Sequence, residues 1–173
     1  LNDVVLLCRR AARCFCSGSS PTPGSSNAFR SKLAQRAVTM QFALVPSPVT
    51  TQAIASAGAD AICIDLEHGP IDYKDVQAMI ASMKGTGSLP VVRVPSINAV
   101  SVKRSLDLGA EGIVFPLART ASDVATAVST LHYPPRGERG FGPFVAHSAH
   151  GFDFTSAVAA YEANPPVCCM LIE

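Results

Sequence analysis

The sequence predicts an α/β protein built on a parallel sheet, and three observations carry that reading. Its apolar runs have strand length and are continuous rather than alternating, the mark of strands covered on both faces. Segments of helical pattern alternate with them, which implies right-handed βαβ crossovers. Strands starting near residues 38, 61, 91 and 112 recur at about the spacing of one βα unit. Five such strands fit either an open doubly wound sheet or five-eighths of a (β/α)8 barrel. No Gly-x-Gly-x-x-Gly follows the first strand, so the dinucleotide-binding version lacks its signature.

The elements follow in order. Val38–Val45 reads as a strand broken by Pro46-Ser47-Pro48, and Val49–Ala57 as a helix stopped by Gly58. Ala61–Leu66 is the second strand. Asp72 is placed to cap a helix over Tyr73–Lys84, with Val76, Met79, Ile80 and Met83 at helical spacing, and Gly85-Thr86-Gly87 ends it. Val91–Val94 is a short strand. Asn98 caps a helix through Leu108, with Gly109 just beyond its end. Gly112–Leu117 is the fourth strand, and Thr120 or Ser122 caps a helix to about Leu131. Tyr133–Phe154 has little periodicity. Thr155–Ala163 reads as a helix and Val167–Ile172 as a fifth strand.

Composition bounds the class. The chain has 173 residues, 48% hydrophobic and 16% charged, which argues against disorder, collagen and coiled coil. That length is short for a complete barrel, which needs about 250 residues. The chain starts at Leu1 and stops at Glu173, directly after an apolar run, so a fragment is expected. A net charge of +1 gives no footprint for nucleic acid or a membrane surface, and neither partner is expected. The charge is uneven: Arg9, Arg10, Arg13, Arg30, Lys32 and Arg36 stand against Asp3 in residues 1–36, a local +5. Residues 8–26 are rich in Arg, Ala, Ser and Pro and hold no acid. Residues 1–26 therefore read as a leader of mitochondrial or plastid transit type, against a disordered tail or mistranslated upstream sequence. Without a real leader, the expected location is cytoplasmic. Cys63, Cys168 and Cys169 lie in strand-like runs, Cys8, Cys14 and Cys16 in the leader, and no pair has zinc-site spacing. Free thiols in a reducing compartment are expected.

In either architecture ligands gather beyond the carboxyl ends of the strands. The second strand ends Asp65-Leu66-Glu67-His68-Gly69-Pro70, three ionisable groups in four residues. Alternation puts Asp65 and Glu67 on one side, with His68 starting the loop above them. A carboxylate beside an imidazole can make a general base or a partner for metal-bound water. The third strand ends in Arg93, a fixed cation among apolar neighbours, which must meet an anion. That anion is Asp65 or Glu67, or a substrate carboxylate or enolate held by the planar fork. Glu173 closes the fifth strand, and a carboxylate there is a hard ligand for Mg²⁺ or Mn²⁺. His132 reads as a helix-end surface residue.

The runs Ile64-Asp65-Leu66-Glu67-His68-Gly69-Pro70 and Val92-Arg93-Val94-Pro95 resemble the HpcH/HpaI aldolase family. Leu106-Asp107-Leu108-Gly109-Ala110, Tyr133-Pro134-Pro135-Arg136-Gly137-Glu138-Arg139-Gly140 and Leu171-Ile172-Glu173 extend the match in order, over residues 27–173. The resemblance implies a (β/α)8 TIM barrel, here truncated after its fifth strand, and a hexamer at full length. It implies metal-dependent class II cleavage of 4-hydroxy-2-oxo acids to pyruvate and an aldehyde. It makes His68 the general base and Arg93 the group that holds the pyruvyl carboxylate or enolate. Glu67 becomes a substrate-side residue, and Glu173 one of two acidic ligands to Mg²⁺, Mn²⁺ or Co²⁺. Asp107 matches an aspartate that raises the basicity of the histidine, yet the topology places it at a helix end away from the strand carboxyl ends. A neighbouring subunit would reconcile the two, and Asp65 is a second candidate partner for His68. Leu171 departs from a common Gln, and the second metal ligand is expected downstream, near the end of a sixth strand. His147 and His150 are candidates for contact with aldehyde or solvent. Two other readings stand beside this one: a citrate-lyase-like C–C lyase acting on a CoA ester, and a non-catalytic remnant of the same fold.

Overall fold

The structure is a computed structural model, and it describes residues 24–142 and 153–172. The predicted 1–26 leader lies outside the described residues except for Gly24, Ser25 and Ser26. Eleven elements are described: α1 (Ser26–Gln35), β1 (Met40–Ala43), α2 (Pro48–Ser56), β2 (Ala61–Asp65), α3 (Tyr73–Ser82), β3 (Leu89–Arg93), α4 (Ala99–Asp107), β4 (Gly112–Ala118), α5 (Ala121–Leu131), α6 (Phe154–Ala163) and β5 (Val167–Ile172). All strand pairs are parallel and the spatial order is β1-β2-β3-β4-β5. A doubly wound sheet reverses direction at a switch point. Here each strand is added beside the last, so the sheet is a partial barrel.

The helices begin where local chemistry dictates. Ser47 accepts from the Thr50 N–H and Pro48 sits at the first turn of α2. Asp72 and Asp75 form a reciprocal capping box on α3, and Thr120 and Asp123 another on α5. The Asn98 carboxamide accepts from Val100 and Ser101 at the start of α4. Gly109 follows α4 at φ +103, the left-handed region that favours glycine.

Successive strand residues divide between two apolar layers. Ile62, Ile64, Val92, Val94, Ile113, Phe115 and Met170 point outward against Ala55, Val76, Met79, Val102, Leu106, Ala127 and Leu131 of the helices. Ala61, Cys63, Leu89, Val91, Val114, Val167 and Cys169 point inward. Removing each large aliphatic side chain from water contributes about 1.5–3 kcal/mol, and Ala61–Ile64 of β2 form one buried apolar run ahead of the buried Asp65. Cys63, Cys168 and Cys169 form no disulfide among the described residues, as expected of small hydrophobes in strands.

Helix α1 is an element the periodicity did not reveal. Its Phe29 is 2% exposed and closes the inward layer. Polar contacts from the rest of α1 reach across the base of the sheet. Arg36 donates to both oxygens of Asp60 at 2.8 and 2.7 Å, and Lys32 lies 3.2 Å from the same carboxylate. The Asn27 N–H donates to the Asn164 carboxamide, and Arg30 Nη2 to the Pro166 carbonyl. Three of the six basic residues in the N-terminal charge cluster therefore belong to the fold. Strand β1 is shorter than expected, because only Met40–Ala43 has a neighbour to pair with in β2.

Candidate functional site

The carboxyl ends of β2 and β3 bring Asp65, Glu67 and Arg93 together. Asp65 and Arg93 are register partners, so their side chains leave the sheet side by side on its inward face. The guanidinium donates Nε to Asp65 Oδ1 at 2.8 Å and Nη2 to Oδ2. Asp65 is fully buried. Burial alone would raise its pKa, but the Arg93 bonds and the N–H groups of His68 and Glu67 outweigh that and hold it below the ordinary aspartate range. Glu67 Oε2 lies 3.2 Å from Arg93 Nε. Of the anions left open for Arg93, Asp65 takes the bidentate edge and Glu67 lies beside Nε, while Nη1 has no partner among the described residues.

Asp65 also shapes the loop. Its Oδ1 accepts from the Glu67 N–H at 3.0 Å and the His68 N–H at 3.2 Å. The chain then turns so tightly that a Cβ on Gly69 would lie 2.5 Å from the Asp65 carbonyl oxygen. Asp65 therefore supports His68 through the main chain, and the carboxylate beside the imidazole is Glu67, whose Oε1 is 3.7 Å from Nε2. Glu67 stands between Arg93 and His68 and touches both. The His68 side chain is 69% exposed and free to meet a ligand.

Asp107 is not brought to this cluster. It ends α4, which leads into the amino end of β4, so it lies at the opposite end of the sheet. There it accepts from Arg139 Nη2 at 2.9 Å. The Arg139 guanidinium carbon is 4.7 Å from the Tyr133 ring centroid and 4.7 Å from that of Tyr161. His132, read as a surface residue, is half-buried against α6. Burial, then Arg136, push its imidazole below the usual histidine range, while Glu162 opposes them. Leu171 packs against the inward layer at the end of β5.

Glu173, His147 and His150 lie outside the described residues. Among the described residues no group of three or more His, Cys, Asp or Glu side chains could hold a metal ion. The carboxylates present are already paired, so the described cluster is not by itself a metal site.

Sequence reasoning missed Phe42. It is the register partner of inward-facing Cys63, and the Arg93 guanidinium carbon lies 5.1 Å from its ring centroid. The available signal was its place in β1, two residues after inward-facing Met40.

Residues 38–172 match the HpcH/HpaI aldolase/citrate lyase family. The chain belongs to that family. Among curated relatives it is 33% identical over 150 residues to a hydroxypyruvate/pyruvate aldolase of Roseovarius nubinhibens, covering 86% of this chain and 58% of the relative. It is 36% identical to a 2-dehydro-3,6-dideoxy-6-sulfogluconate aldolase of Pseudomonas putida over 72% of this chain and 48% of that one. Among solved structures, an HpcH/HpaI aldolase/citrate lyase family protein from Burkholderia cenocepacia superposes with a TM-score of 0.72 at 31% identity, covering 81% of this chain and 56% of that one. Macrophomate synthase gives 0.69 at 28% identity, covering 86% and 52%. The chain thus spans about half the length of the relatives it matches. For the HpcH/HpaI chain, these likenesses settle the two architectures left open by the strand pattern in favour of the barrel.

Proposed function

We propose that the full-length protein is a carbon–carbon lyase that cleaves 4-hydroxy-2-oxo acids to pyruvate and an aldehyde. The observation that carries this reading is the Asp65–Arg93–Glu67 cluster with His68 at its rim. The names of the curated relatives support it.

In this reading the His68 imidazole takes the proton of the substrate's 4-hydroxyl. The C3–C4 bond then breaks, its electron pair moves into a pyruvate enolate, and the aldehyde leaves. A proton returned to C3 completes pyruvate. Arg93 Nη1 donates to the carboxylate or enolate oxygen, where negative charge gathers. Asp65 holds the Nε–Nη2 edge, which leaves Nη1 as the donor for substrate. We include a divalent cation, Mg²⁺, Mn²⁺ or Co²⁺, in the proposal: Glu173 follows β5 directly in sequence, and a cation held there when bound supplies Lewis acidity toward the 2-oxo group. Asp107, at the far end of the barrel, would serve catalysis only across a subunit boundary, so the proposal includes a homo-oligomer.

The test is pyruvate formation from a panel of 4-hydroxy-2-oxo acids by the full-length protein, with and without EDTA. Turnover abolished by EDTA and restored by Mg²⁺, Mn²⁺ or Co²⁺ is expected. Equal turnover in EDTA would exclude the class II mechanism.

A further inference from the structure

We infer that Phe42 is a positioning residue for Arg93: its ring holds the plane of the guanidinium so that Nη1 is presented to the mouth of the barrel. The inference rests on the lyase reading for its kinetic consequence. Its geometry stands without it.

Three groups hold Arg93. Asp65 takes the Nε–Nη2 edge, Glu67 lies 3.2 Å from Nε, and the Phe42 ring centroid is 5.1 Å from the guanidinium carbon. The two carboxylates fix the edge but leave the guanidinium free to rock about it. A flat aromatic surface against one face removes that motion, and its quadrupole attracts the cation. Phe42 pairs with Cys63, two residues before Asp65 on β2, so its ring stands beside the strand ends where Asp65 and Arg93 meet.

The experiment compares Phe42→Leu, Phe42→Tyr and Phe42→Trp with wild type in the full-length protein. Leucine keeps apolar bulk without a π face, whereas the other two keep the face. Phe42→Leu is expected to raise KM for the 2-oxo acid by about 3- to 30-fold with a smaller change in kcat, and Phe42→Tyr and Phe42→Trp to restore it. Solvent exchange of the Arg93 Nε–H, followed by ¹⁵N NMR, is expected to speed up in Phe42→Leu and to return to the wild-type rate in the aromatic variants. Exchange and KM both unchanged in Phe42→Leu, or equal defects in all three variants, would overturn the inference. If wild type forms no pyruvate, the lyase reading fails and exchange alone decides the role of Phe42.

Discussion

The carboxylate of Asp65 that grips Arg93 also grips the main chain under His68. One buried group therefore sets both the cation and the loop that carries the imidazole. Asp65→Ala would take away the buried bidentate partner of Arg93, leaving only Glu67 beside it, and release the loop. Breaking a buried pair by removing one partner costs about 3–5 kcal/mol. Urea unfolding of the protein should show a loss of that size, with pyruvate formation lost as well.

His68 makes the opposite prediction. With its side chain 69% exposed, His68→Ala should leave stability within about 0.5 kcal/mol of wild type. Loss of a general base should lower kcat by about 10²- to 10⁴-fold. Steady-state kinetics beside a thermal melt separates the two effects, and retained turnover would remove His68 as the base.

Asp60 gives a pH dependence. The hydrogen bonds from Arg36, opposed by burial and helped by the Thr39 N–H and Lys32, hold its pKa far below the ordinary aspartate value. A depressed carboxylate stabilises the fold above its unfolded pKa of about 3.9, and that contribution is lost as pH falls through the folded value. Stability should therefore decline below about pH 4. Asp60→Asn should flatten that acid limb and cost about 1–3 kcal/mol at neutral pH, read from denaturation at a series of pH values.

Arg139→Lys should be costly although it keeps the charge. The lysine ammonium cannot stack between Tyr133 and Tyr161 while reaching Asp107. Loss of about 1–3 kcal/mol is expected in chemical unfolding, and a neutral result would show that the rings do not hold the cation.

Much of the fold was legible because its signals are local. Asp72, Asn98 and Thr120 cap helices through bonds to residues two or three positions away, and Gly109 needs only its own backbone angle. The site was half legible. Its residue types were visible at the strand ends, but which anion Arg93 meets depends on the β2–β3 register, which a linear pattern does not carry. Helix α1 escaped notice because Phe29 is its single buried apolar residue and long-range polar contacts dock the rest. His132 was misplaced for a related reason: the group that covers it comes from α6.

The contacts of α1 also bear on the order of events during synthesis. Its partner Asp60 leaves the ribosome soon after it, but Asn164 and Pro166 follow about a hundred residues later. At cellular elongation rates that gap is roughly 5–20 s, far longer than a helix needs to form. The nascent chain must therefore hold the helix at one anchor while β2 to β5 emerge. Contacts this distant in sequence slow folding through the entropy of loop closure. The Arg36–Asp60 pair is then an early tether that keeps α1 near its seat until β5 arrives.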